Sequence, residues 1–95
     1  MEPSEAMVQV AWRVTGRVQG VGFRWWTRTS AVALGLRGSV RNCADGSVEI
    51  EVTGPPDVVR SFRSLLQQGP PGARVDAVRP IPTHGDPPPD SRVTF

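Results

Sequence analysis

At Gly16 the sequence changes its period, and that change constrains the fold more than any other feature of the chain. From Val8 to Thr15 apolar and polar side chains alternate strictly, with Val8, Val10, Trp12 and Val14 on one face and Gln9, Ala11, Arg13 and Thr15 on the other. This is the two-residue repeat of a half-buried strand. From Phe23 the repeat lengthens: Phe23, Trp26, Ser30/Ala31 and Leu34 recur at helical spacing until Gly35 offers a C-cap. Between the two periods stands GRVQGVG, residues 16–22, with three glycines in seven positions. A strand must therefore turn into a helix across a flexible loop.

The rest of the chain completes a pattern. Val40 sits between polar neighbours in RGSVRN, CADG reads as a turn, and Val48, Ile50 and Val52 alternate with Glu49, Glu51 and Thr53. That is a hairpin with its glutamates on the solvated face rather than forming an acid/base pair. Pro55, Pro56 and Asp57 mark a second helix start, and Val58/Val59, Phe62 and Leu65/Leu66 give its apolar stripe before Gly69. A proline-bounded strand follows in PPGARVDAVRPIP, then the loop THGDPPPD and a last short strand in SRVTF. The prolines put these late strands at sheet edges. The order β-α-β-β-α-β predicts a ferredoxin-like α+β sandwich, an antiparallel sheet with two helices on one face. With 95 residues only one core can form, so residues 1–6 read as a flexible tail and 7–95 as a single domain.

Lengths then bring two distant residues together. If the first strand climbs to the glycine loop, about 13 helical residues descend roughly 19 Å, and six strand residues climb back roughly 20 Å. Asn42 thus returns to the end of the sheet where Arg24 opens the helix. Gly16, Gly20 and Gly22 permit the positive φ values that turn successive amide N–H groups toward one point. The helix start adds its dipole and Arg24 adds a planar, permanent cation. Together they read as a cradle for a small anion. The spacing is neither that of a Walker A loop nor G-x-G-x-x-G, so a nucleotide is not indicated.

Other classes fit less well. The net charge is +2, and the eleven basic residues, all arginine, lie among nine acids, which disfavours a nucleic-acid partner. One cysteine and one histidine allow neither an internal disulfide nor a zinc motif, so no metal or cofactor is expected. No apolar run suits a membrane helix and no signal core opens the chain, so a cytoplasmic protein is expected. Cys43 and His84 receive no role. Trp25 and Trp26 read as one surface and one core ring rather than a base-stacking pair.

GRVQGVGFR followed by LGLRGSVRNCADGSVEIEVTG closely resembles the two signature segments of the acylphosphatases, small ferredoxin-like enzymes that hydrolyse carboxyl–phosphate bonds without a metal. The resemblance implies that the loop Arg17, Val18, Gln19, Gly20, Val21, Gly22 and Phe23 holds phosphate through backbone amides, that Arg24 binds the phosphoryl oxygens, and that Asn42 positions the attacking water. It also implies a small acyl phosphate as the partner, a phosphate or sulfate ion as an occupant of the cradle, and a monomer. The alternatives from other classes are a non-catalytic anion-binding module and an RNA-binding ferredoxin-like module. The second lacks an aromatic on the strand carrying Glu49 and Glu51, where such modules stack bases.

Overall fold

The computed structural model describes residues 6–83 and 92–95, and in it the alternating segment is a ten-residue strand, β1 (Val8–Arg17). The loop leads into α1 (Phe23–Ala33). β2 (Arg37–Asn42) and β3 (Val48–Gly54) form the expected hairpin. α2 (Pro56–Gln68), β4 (Arg74–Ile81) and the three-residue β5 (Arg92–Thr94) complete the chain. Most of the proposed tail, together with His84 and the loop around it, lies outside the described residues.

The sheet is antiparallel in the order β4-β1-β3-β2-β5, with the two proline-flanked late strands at its edges as expected. Both helices cover one face. Trp12 and Val14 of β1, Val40 of β2 and Val48, Ile50 and Val52 of β3 meet Phe23 and Ala31 of α1 and Val59, Phe62 and Leu66 of α2 in one core. Trp12 and Phe62 rings join the layers at 6.1 Å between centroids. Helix α1 stops through backbone bonds: Leu36 N–H donates to Ala31 C=O and Gly35 N–H to Val32 C=O, a Schellman closure that the positive φ of Gly35 permits.

Two expectations need correction. The buried face of α1 is Phe23, Thr27 and Ala31, spaced four apart, with Trp26 only half-buried against Phe23 at 5.5 Å. Reading apolar residues alone passes over Thr27. Glu49, expected on a solvated face, is 7% exposed. It does lie on the face without helices, but Arg13 of β1 and Arg41 of β2 are its cross-strand partners, and each guanidinium Nη2 donates to one of its carboxylate oxygens at 2.6 Å. Arg79 of β4 is paired in register with Arg13, and Arg92 of β5 with Arg41. Arginines scattered through the sequence thus occupy one row of register positions across the sheet, with Glu49 at its centre.

Candidate active site

The loop between β1 and α1 is shaped by different demands at different glycines. At Gly16, next to a bulge where β1 shifts register against β4, a side chain would collide with the carbonyl oxygen of Arg74. Its requirement is close approach of two strands. Gly20 and Gly22 have φ of 74° and 75° and no atom within 4 Å of where a Cβ would stand. They have room for a side chain but a backbone conformation that favours glycine. Val18 and Phe23 are 1% exposed and Val21 packs against the core, so apolar anchors fix the loop on both sides of its glycines.

The two helix starts differ in a way that bears on charge. Helix α2 begins with proline and carries Asp57 in its first turn, an acid that suits the positive end of the dipole. Helix α1 begins at Gly22 with no side-chain cap and no acid in its first turn, and places Arg24 there instead. Positive dipole and positive side chain meet at the same point, a combination that suits a bound anion.

A half-open cleft of about 200 Å³ lies at this point, lined by Val18, Gln19, Gly20, Gly22, Phe23, Arg24, Trp25 and Asn42. It brings Arg24 and Asn42 together as the length argument expects. Of the predicted loop residues, Arg17 and Val21 do not line it: Arg17 ends β1 as an exposed residue paired in register with Arg74, and Val21 turns toward the core. Asn42 is half-buried at the last pair of the β2–β3 ladder, opposite Val48. Its Oδ1 is shielded from solvent and accepts no hydrogen bond among the described residues. An acceptor left so costs about 1–3 kcal/mol.

Sequence reasoning gave Gln19 a place through its backbone and missed its side chain. Gln19 Nε2 donates to the carbonyl oxygens of Cys43 and Ser47, both at 2.8 Å, and so ties the glycine loop to the β2–β3 turn immediately after Asn42. No local signal could have found this, since the partners are 24 and 28 residues away. The turn is also braced from within. Cys43 N–H donates to Ser47 C=O and Gly46 N–H to Cys43 C=O. Ser47 donates to Asp45 Oδ1 from Oγ at 2.6 Å and from its N–H at 3.0 Å. Those bonds, the hydroxyl first, hold the Asp45 carboxyl below the usual aspartate range. Cys43 is half-buried and unpaired with any other cysteine.

Fold and cleft together define a small α+β sandwich with a polar site at the head of its first helix. The family model described as Acylphosphatase matches residues 10–92. An acylphosphatase of Nitrobacter hamburgensis is 52% identical over 69 residues, covering 73% of this chain and 70% of the relative. One of Caldivirga maquilingensis is 53% identical over 79 residues, covering 82% and 83%. An acylphosphatase of Koribacter versatilis, 54% identical over 65 residues, is spanned over 59% of its length. The crystal structure of the Bacillus subtilis acylphosphatase superposes with a TM-score of 0.76 at 37% identity, over 80% of this chain and 83% of that one. The full-length protein HypF, in its phosphate- and nucleotide-bound form, matches with a TM-score of 0.67 at 29% identity, over 85% of this chain but 11% of its own. The chain belongs to the acylphosphatase family.

Proposed function

We propose that the cleft takes the phosphoryl end of a small acyl phosphate and hydrolyses its carboxyl–phosphate bond without a metal. The observation that carries the reading is the uncapped, acid-free start of α1, with Arg24 in its first turn and Asn42 on the same cleft. The loop amides and Arg24 bind the phosphoryl oxygens, and the Asn42 amide hydrogen-bonds the water and orients its oxygen toward phosphorus. The water oxygen forms a bond to phosphorus and the bond from phosphorus to the carboxyl oxygen breaks. Its electron pair leaves on the carboxylate, and the water's proton goes to a phosphate oxygen. The products are a carboxylate and inorganic phosphate.

So sparse a site suffices for this chemistry. The leaving carboxylate has a conjugate acid near pKa 4, like a glutamate side chain, so no general acid is needed. Phosphoryl transfer depends chiefly on positioning and charge stabilisation. Among the described residues, no carboxylate, imidazole or thiol lines the cleft, and those residues offer no donor set for a cation. The enzyme is proposed to work as a monomer in the cytoplasm, with residues 7–95 as its one domain and phosphate or sulfate as occupants of the cradle. No helix among the described residues is long and apolar enough to cross a membrane.

The test is hydrolysis of benzoyl phosphate in excess chelator by the wild type and by Arg24→Gln and Asn42→Ala variants shown to be folded. Wild-type activity with a loss of at least a hundredfold in both variants is expected, since each removes a positioning or charge-stabilising group. Inactive folded wild type or unimpaired variants would overturn the reading. Loss of activity in chelator would overturn only its metal-free part.

A further inference from the structure

The cradle accounts for the phosphoryl half of an acyl phosphate and leaves the acyl half without a partner. Among the described residues the large apolar side chains left exposed are Met7, Trp25 and Val32. Met7 precedes β1, at the end of the strand away from the loop, and Val32 lies in the last turn of α1. Only Trp25 lines the cleft.

The position of Trp25 follows from the helix. Phe23 is buried, and two residues on, at 100° each, the side chain emerges on the far side of α1, where Trp25 is 68% exposed. The neighbouring Trp26 packs on Phe23, so the core has no further use for an indole here. One turn along, Arg28 lays its guanidinium over the Trp25 ring, 5.5 Å from the centroid. That cation–π contact restrains the ring, and the residue keeps most of its surface in solvent. A restrained aromatic ring lining a site for a two-part substrate is placed to receive the part that the phosphate cradle does not hold.

We propose that Trp25 is the acyl subsite of this enzyme and that it selects acyl phosphates with a flat, apolar acyl group, aromatic ones above all, by stacking that group on the indole. The inference rests on the acyl phosphate reading given above. It makes Trp25 a specificity-determining residue, with Arg28 positioning its ring.

The experiment compares kcat/KM for benzoyl phosphate and for acetyl phosphate in the wild type, Trp25→Ala and Trp25→Phe. The two leaving groups differ in reactivity, but that difference is common to all three proteins and cancels when preferences are compared. The preference for benzoyl over acetyl phosphate is expected to fall about tenfold in Trp25→Ala, the loss of one aromatic contact, and to be largely kept in Trp25→Phe. An unchanged preference in Trp25→Ala overturns the proposal, as does a parallel loss on both substrates, which would make the residue a support of the phosphate loop. A wild type that hydrolyses neither substrate removes the underlying reading and this one with it. Hydrolysis of both with an unchanged preference removes only this one.

Discussion

Replacing Gln19 by alanine separates what the loop needs to fold from what it needs to work. The substitution deletes two hydrogen bonds of 2.8 Å, to Cys43 C=O and Ser47 C=O. Each is worth about 0.5–1.5 kcal/mol net. Both carbonyls keep another donor, from Gly46 N–H and Cys43 N–H, so no orphaned acceptor adds to the loss. A destabilisation of about 1–3 kcal/mol is expected, at about 4–8 °C in Tm for each kcal/mol in a domain of this size. The variant should therefore still fold. Activity should suffer more, because the loop is no longer tied to the strand end that carries Asn42, and an ångström of misplacement can cost about a hundredfold. The expected signature is a fall in kcat with little change in inhibition by inorganic phosphate, since the loop amides and Arg24 stay together. Gln19→Glu sharpens the test. Its carboxylate faces two carbonyl oxygens and can donate to neither, whereas the protonated acid can donate to one. Activity relative to wild type should thus rise as pH falls through the range of a raised carboxyl pKa. Folded Gln19→Ala with wild-type kcat, or Gln19→Glu with a wild-type pH profile, would refute the coupling.

Two further predictions concern the parts that hold the site. Glu49→Gln removes the carboxylate between Arg13 and Arg41 and leaves two guanidinium groups facing each other. Arg13 is 44% exposed, so water screens part of the cost and the loss should be about 1–3 kcal/mol rather than the larger values of fully buried pairs; urea unfolding giving under 0.5 kcal/mol would show that the row adds little. For Asp45, the folded carboxyl lies below its ordinary range because Ser47 hydrogen-bonds to it, so the stability it brings is complete above about pH 4 and is lost as pH falls through the lower, folded value. As pH falls below about 4 the wild type should lose stability more steeply than Asp45→Asn in thermal melts, and equal slopes would exclude this origin.

The sequence made the periods legible, and with them the element order, because alternation and helical spacing record directly which side of an element is buried. It also made the meeting of Arg24 and Asn42 legible, since rise per residue converts chain length into height on the sheet. Glu49 was misread for the same physical reason. Alternation gives the face a residue points to, but whether that face is wet depends on neighbours from other strands, and here two arginines close over it. Gln19 was legible only as backbone, because the reach of an amide to a turn 24 residues away depends on how loop and hairpin meet. Thr27 was passed over because a threonine in a helix interior is sorted by polarity rather than by packing. What could be read locally was read well, and the failures lie where side chains bridge elements.

The edges of the sheet have a consequence for behaviour in crowded solution. An outer strand offers unpaired backbone groups on which a second molecule can add. Here β4 exposes Arg74, Asp76, Arg79 and Pro80, charges that a docking strand would have to accommodate and a residue with no N–H to give it. The opposite edge, β5, is three residues long, too short to seed a lasting ladder. Pro80, which does not line the cleft, thus helps guard against a misassembly to which the β-rich core would otherwise be prone: molecules joining edge to edge into aggregates.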